Sequence, residues 1–329
     1  MDKFVFFGRS YFQYNGFDPM RVLLNDVIND PDFYYAEPTD SKAFNKLNYY
    51  YENRIGTAIK KRIGIPRKEA HFKEYMQFYD LLSKTDMIYF LFVRFETWFF
   101  GEDGFLAYLK KEFPESKLVY LLINVNKYLN IDFNVFCPYF DRVITIDEGD
   151  ASKYGLEYHP FFYSAISKED PSLPKSDCFF IGNAKERLDI ILEIYESLIA
   201  QGLKCDFHIV NVPDERQRYK DEIVYNQPMN YDDIVCHVKK SRMLLEIMQE
   251  GQTSGTLREH EAAIYGKKLL TNNQYIKQRN FYTPDNVLVF SDANDLDIET
   301  FNKTECREYP NKDQISPRSL LEYIRKNDA

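Results

Sequence analysis

Short, continuous apolar runs punctuate the first half of the chain at residues 3–8, 86–93, 117–123 and 142–146. They are too short and too uniformly apolar for surface helices, and read as strands covered on both faces. Between them the spacing is helical. Asp18-Pro19 opens a helix reaching about Asn29, with Asp as cap and Pro in the first turn. Residues 44–62, 68–82 and 103–112 repeat the helical period, and Pro114 lies just beyond the last of these. A short helix to Tyr154 follows Asp147-Glu148-Gly149-Asp150, and residues 158–163 read as a final strand. The same grammar restarts further on. Strands are predicted at 178–182, 207–210, 223–225, 243–247, 268–271 and 287–290. Helices are predicted at 186–201, closed by Gly202, at 231–240, at 256–265, closed by Gly266, and at 316–326.

Between the halves, residues 164–176 include Lys168-Glu169-Asp170-Pro171-Ser172-Leu173-Pro174-Lys175, polar and Pro-containing in the manner of a linker. Strands alternating with helices predict parallel sheets joined by crossovers. The expected fold is therefore α/β, with two Rossmann-like domains at residues 1–164 and 177–329 joined by a linker at 165–176. The terminal helix is free to pack back on the first domain. Ligands of such open sheets bind beyond the carboxyl ends of the strands, so the cleft between the domains is the expected site.

Composition narrows the function classes. A length of 329 residues suits two domains. With 44% hydrophobic and 28% charged residues, disorder, collagen-like repeats and coiled coil are excluded. No run of about 18 uncharged apolar residues occurs, so no membrane span is expected. Met1-Asp2-Lys3-Phe4 leads straight into a strand and lacks the pattern of a secretory signal. The balance of 42 basic against 51 acidic residues, a net charge of −9, argues against nucleic acid as a partner. Cys137, Cys178, Cys205, Cys236 and Cys306 are odd in number and widely spaced, as expected of reduced thiols in a cytosolic protein. Tyr and Phe, at 26 and 27, raise the aromatic content to 16%, and most lie inside predicted strands and helices as core.

Candidate chemistry concentrates in residues 244–262. A buried strand ends there in a loop, Glu250-Gly251-Gln252-Thr253-Ser254-Gly255, and a helix starts near Thr256. Backbone N–H groups at such a helix start favour an anion such as phosphate. Arg258 adds a guanidinium fork for phosphate oxygens, and Glu261, one turn further in, offers a carboxylate for the diol of a ribose. Glu246, at the strand end, would support the site from behind. Other motifs are set aside. Asp30-Pro31-Asp32 and Asp295-Leu296-Asp297 match Asp-x-Asp but do not follow a central strand. No Walker loop, HExxH or GxSxG occurs. His71, His159, His208, His237 and His260 share no metal-ligand spacing. His208 reads as core, and His260, beside Glu261, as a surface residue or, as the alternative, a donor contact.

The segment Gln252-Thr253-Ser254-Gly255-Thr256-Leu257-Arg258, then Glu261-Ala262 and Gly266-Lys267-Lys268-Leu269-Leu270-Thr271-Asn272-Asn273, resembles the donor-binding region of bacterial GT-B-fold glycosyltransferases of lipopolysaccharide and capsular polysaccharide biosynthesis. Phe140-Asp141-Arg142-Val143, Lys153-Tyr154-Gly155-Leu156 and Pro160-Phe161-Phe162-Tyr163 resemble the end of their first domain. Phe179-Phe180-Ile181-Gly182-Asn183-Ala184-Lys185-Glu186-Arg187 resembles the first loop of their second.

The resemblance implies a glycosyltransferase that moves a sugar from a nucleotide-diphosphate donor to a hydroxyl of a surface glycan. The first domain would face the acceptor, a glycan or lipid-linked glycan, and the second would bind the nucleotide-sugar. Gly182, Lys185 and Arg187 would line the diphosphate side, Gln252, Ser254, Gly255, Thr256 and Arg258 would hold phosphates or sugar, and Glu261 would take the ribose. The nucleotide-sugar is a substrate, and neither a cofactor nor a metal is expected. Many retaining members carry an acid where this chain has Thr253, so the stereochemical course stays open. Two alternatives are a non-catalytic GT-B-like partner in polysaccharide assembly and a sugar-nucleotide epimerase. The expected location is cytoplasmic. Arg54, Lys60, Lys61, Arg62, Arg67, Lys68 and Lys73 form a basic stretch, either a solvated helical face or a peripheral contact with the anionic inner face of the cell membrane.

An inverting transfer needs a base on the acceptor hydroxyl. Strand-end candidates in the first domain are Glu96 and, as alternative, Asp18, with Arg9 on the acceptor side. Glu96→Gln is expected to abolish transfer while donor binding, measured by calorimetry, is retained. Near-normal turnover of that variant would remove Glu96 from the mechanism.

Overall fold

The computed structural model describes residues 2–8, 19–36, 72–73, 76, 78–93, 100–102, 104–123, 131–249, 255–293 and 296–326. The chain divides into two units, Met1–Pro160 with Tyr323–Ala329, and Phe161–Glu322.

In the first unit, β1 (Asp2–Phe7), β2 (Phe33–Ala36), β3 (Met87–Phe92), β4 (Lys117–Leu122), β5 (Arg142–Thr145) and β6 (Glu157–Tyr158) form a sheet in the order β2-β1-β3-β4-β5-β6. Every pairing is parallel. The helices are α1 (Pro19–Leu23), α2 (Phe105–Glu112), α3 (Phe133–Phe136) and α4 (Glu148–Tyr154). Successive side chains of a strand point to opposite faces. One face therefore collects Val5, Phe7, Phe90, Phe92, Leu118, Tyr120 and Leu122 against Phe105, Leu106 and Leu109 of α2. Phe7 stacks on Phe92 at 4.7 Å, and Phe105 meets Phe7 edge-on at 5.4 Å. Each such ring taken out of water contributes about 2 kcal/mol. Most of the phenylalanine among the described residues of this half is thus core material.

Residues near the C-terminus belong to this unit by contact. The Arg142 guanidinium donates to Glu157 at 2.8 and 2.5 Å and to the Ile324 carbonyl at 2.7 Å. Arg325 pairs with Asp2 at 2.8 Å.

In the second unit, β7 (Ser176–Asn183), β8 (Cys205–Val210), β9 (Val224–Tyr225), β10 (Ser241–Glu246), β11 (Lys268–Thr271) and β12 (Val287–Val289) are ordered β12-β11-β10-β7-β8-β9. All of these pairings are parallel. The helices are α5 (Leu188–Ala200), α6 (Tyr231–Lys240), α7 (Leu257–Tyr265) and α8 (Ile298–Lys303), and α9 (Pro317–Lys326) starts in this unit and passes into the first at Tyr323. The two faces of this sheet differ in chemistry. One is apolar, with Cys178, Phe180, Phe207, Ile209, Met243 and Leu245 packed with Ile191, Leu192, Tyr195 and Leu198 of α5. The other, on the side of α6 and α7, carries Phe179, Asp206, His208, Glu246 and Thr271.

Two sheets of parallel strands with helices are the predicted α/β class. Some elements differ from the sequence reading. The first helix stops at Leu23, and residues 24–29 continue as tight turns, with bonds such as Asn25 N to the Val22 carbonyl. Asn25, Asp26 and Asn29 lie in this stretch, and such side chains compete for backbone partners. Within 68–82 the described residues include only a 3₁₀ turn at Tyr79–Leu81 and helical residues 72–73. The strand expected over 158–163 ends at Tyr158, because Pro160 has no N–H to offer a ladder.

Candidate functional site

The strand order of the second sheet reverses beside β7, whose neighbours are β8 on one side and β10 on the other. Open parallel sheets bind ligands outside the carboxyl ends of strands at such a switch point. Here those ends are Asn183 of β7 and Glu246 of β10.

The loops leaving the two strands are cross-linked. Arg187 donates to the Asn183 carbonyl and to the Ile247 carbonyl, which staples the end of β7 to the end of β10. Lys185 adopts φ +43°, a left-handed conformation uncommon outside glycine. Its backbone N–H donates to the Asn183 side chain at 3.1 Å, and its ammonium reaches Gln249 Oε1 at 2.6 Å. Met248 N–H donates to Asn272 Oδ1 at 2.7 Å, which draws in the loop after β11. Gly182 lies in β7 itself, next to its last residue.

Behind these loops sits a buried carboxylate. Glu246 accepts from Thr256 Oγ1 and Thr271 Oγ1, both at 2.5 Å, and from Thr256 N at 3.2 Å. Burial, reinforced by the charge of Glu259, raises its pKa above the usual carboxylate range. Thr256 also caps α7, because its hydroxyl oxygen accepts from Arg258 N at 3.1 Å. A Cβ at Gly255 would lie 1.6 Å from Glu259 Oε1, so a larger residue there would have to displace that carboxylate. The Glu259 carboxylate fills that space and accepts from Arg279 Nε at 3.3 Å.

Arg258 and Glu261 form a buried ion pair one turn apart. The second oxygen of Glu261 accepts from Tyr231 on α6 at 2.6 Å, and the Arg258 guanidinium lies 5.6 Å from the Phe179 ring centroid. Burial pushes Glu261 up from the ordinary carboxylate value, while Arg258 and Tyr231 hold it back. In this conformation both oxygens of Glu261 are engaged inside the unit, so a diol reaches them only when Arg258 turns away.

The structure thus brings together two groups of sequence-predicted residues. Gly182, Lys185 and Arg187 sit at the β7 end, and Gly255, Thr256, Arg258 and Glu261 sit at the start of α7. Gln252, Ser254, Glu96, Asp18 and Arg9 lie outside the described residues, as do Thr253, Asp295 and the basic residues from Arg54 to Lys68.

His260 corrects the sequence reading. It is 2% exposed, not on the surface, because α7 turns this face toward Phe161 and Phe281. The histidines add one arrangement that the sequence did not show. Sequence spacing shows no ligand set, yet Asp206, His208 and His237 meet in space, and the available signal was Asp-x-His in a strand, which puts both side chains on one face. Gln249 and Asn272 lie in segments the sequence singles out but were given no role there, and Tyr231 was missed as a site residue; all three act through tertiary contacts.

No protein-family model matches the chain, and no curated protein matches it. Solved structures do. An alpha-glucosyltransferase in complex with UDP-glucose and DNA containing an abasic site is similar at TM-score 0.51 and 12% identity, over 99% of this chain and 93% of that one. A putative UDP-N-acetylglucosamine 2-epimerase from Listeria monocytogenes gives TM-score 0.49 and 11% identity, over 99% and 96%. A Glycosylation Associate Protein (Gap123) complex from Streptococcus agalactiae gives 0.41 and 13%, over 79% of this chain and 55% of that chain, so this chain spans about half of it. The first match carries the fold, two parallel-sheet α/β units of GT-B type, and the other two add nothing to it. Among the described residues no helix is long and apolar enough to cross a membrane.

The buried imidazole of His260 donates from Nδ1 to the Thr256 carbonyl at 2.9 Å, and burial lowers its pKa from 6.5 to about 4. Above pH 6.5 it is neutral both folded and unfolded. Between 6.5 and about 4 the unfolded chain takes up a proton that the folded chain refuses, so acidification over that window costs stability. Glu246 and Glu261, with raised values, work in the opposite sense but are common to parent and variant. Urea midpoints measured across the window should fall more steeply for the parent than for His260→Gln. Parallel curves would contradict the burial of a neutral imidazole.

Proposed function

We propose that the chain is a glycosyltransferase of GT-B type, moving a sugar from a nucleotide-diphosphate donor to a hydroxyl of a surface-glycan acceptor. The observation that carries this reading is the cross-linked pair of loops at the switch point of the second sheet. They place the Lys185 ammonium beside Gln249, at the carboxyl ends of β7 and β10. A parallel sheet offers its backbone dipoles and loops to an anionic ligand at this end.

In the proposed mechanism Lys185 exchanges its contact with the Gln249 amide for an oxygen of the donor diphosphate and stabilises the leaving group. Arg187 keeps the two strand ends in register, and Gln252 and Ser254, as the resemblance implies, hold phosphates or sugar. Thr256 shapes the start of α7, where its own N–H is held by Glu246 and the Arg258 N–H by its hydroxyl, so the anion is met by Arg258 and Lys185 rather than by those two amides. The donor draws Arg258 from Glu261 and leaves the carboxylate to the ribose hydroxyls. Donor binding therefore opens a buried ion pair, and the new charge-assisted bonds offset that cost. Glu96 serves as base if the transfer inverts, with Asp18 the alternative and Arg9 on the acceptor side. The likeness to glycan-assembly enzymes at residues 252–273 and 179–187 supports the reading. The surface-glycan acceptor, the cytoplasmic location and the peripheral membrane contact through residues 54–73 rest on the same resemblance and on that basic stretch.

The test is turnover with a panel of nucleotide-diphosphate sugars and glycan acceptors, read as release of nucleoside diphosphate. We expect release with one donor class, and for Lys185→Gln a donor Kd weaker by roughly tenfold, the loss of one charge-assisted hydrogen bond. Donor binding with no release under any acceptor would favour the non-catalytic partner. Interconversion of the donor sugar would favour the epimerase.

A further inference from the structure

Asp206 and His208 lie two apart on β8, so both project from the same face of the sheet, and His237 reaches that face from α6. His208 Nε2 lies 2.9 Å from Asp206 Oδ1, and His237 Nδ1 lies 2.6 Å from Asp206 Oδ2. One ligand atom from each of the three residues can be chosen so that all lie within 4.8 Å of one another. Asp206 sits one strand over from Phe179 in register, away from the carboxyl ends where the donor site is placed.

We infer that Asp206, His208 and His237 form a binding site for one divalent transition-metal ion of the zinc class. Two imidazoles with one carboxylate are a donor set suited to zinc and its neighbours, and not to calcium or magnesium, which prefer oxygen alone. Bond lengths of about 2.0–2.2 Å around a tetrahedral ion set neighbouring ligand atoms about 3.3–3.5 Å apart. The two Asp206–imidazole separations, 2.9 and 2.6 Å, widen by less than about 1 Å to meet that spacing, and the imidazole nitrogens lie within 4.8 Å of each other. Water would complete the coordination, because three protein ligands leave a position open.

The surroundings fit such a site. The Phe179 ring stacks on His237 at 5.3 Å and meets His208 edge-on at 6.0 Å, so an apolar wall fixes both imidazole planes. Side-chain exposures of 9% for His208, 14% for His237 and 25% for Asp206 leave an entry from solvent on the carboxylate side. Cys205 is not part of the set. It packs toward the opposite, apolar face. The same Phe179 ring lies against Arg258, so an ion here would stiffen the floor beneath the buried ion pair of the donor site.

The test uses the full chain, stripped with a chelator and titrated with Zn²⁺ and Co²⁺ under reducing conditions. One ion per chain is expected by equilibrium dialysis. The Co²⁺ spectrum should show nitrogen and oxygen ligands without a thiolate charge-transfer band. Zn²⁺ should raise the thermal midpoint of the parent, because it binds the folded form alone. Asp206→Asn and His237→Gln should each weaken binding by at least about tenfold, the loss that removing even a supporting partner causes at a metal site. Should either variant fail to fold, electron paramagnetic resonance of the unmodified chain with Cu²⁺ decides the matter, with splitting from two imidazole nitrogens expected. Absence of stoichiometric binding, binding that survives both substitutions, a thiolate spectrum, or a Cu²⁺ signal without imidazole nitrogen would each overturn the assignment. The triad would then be a hydrogen-bonded clamp between β8 and α6.

Discussion

The buried carboxylate of Glu246 is the constraint on which the candidate site depends. It ends β10 and is gripped by two threonines, Thr256 before α7 and Thr271 at the end of β11. One side chain thereby fixes two strands and the first turn of a helix relative to one another. A buried acid left without partners would cost several kcal/mol, so the two hydroxyls and the Thr256 N–H are a condition of the fold as much as of the site. The helix start cannot shift without breaking them. The Glu259 carboxylate occupies the space that a side chain at Gly255 would take.

The second sheet is asymmetric, and this explains where function is concentrated. Its α5 face is a conventional apolar core. On the α6 and α7 face, charged and polar groups are neutralised in small sets: Glu246 with two threonines, Arg258 with Glu261 and Tyr231, Arg279 with Glu259, and Asp206 with two histidines. A half-satisfied polar face is costly, so each set has to close on itself. Phe179 touches two of these sets, the guanidinium of Arg258 and both imidazoles. That single ring is the physical connection between the proposed metal site and the donor site.

Much of the fold was legible in the sequence because its strands are continuous apolar runs and its helices have clear starts and stops. The helix at Tyr231–Lys240 and the strand at Lys268–Thr271 have the bounds read from pattern alone. The edge strand Phe33–Ala36 was not read, because four aromatic-rich residues after a turn carry no period that separates strand from loop. At the site, the Gly255–Glu261 segment stood out as a loop before a capped helix. That Arg258 and Glu261 face each other, that His260 is buried, and that Gln249 meets Lys185 are products of tertiary packing with no local signature. The histidine pair was hidden for the same reason, since 28 residues of α6 and its approach separate His208 from its partner in sequence.

The most direct check on the placement of the donor site is amide hydrogen exchange with and without a saturating nucleotide-diphosphate sugar. Slowed exchange confined to the ends of β7 and β10, residues 183–187 and 247–258, is the result this account requires. Protection elsewhere, with those amides unchanged, would contradict it.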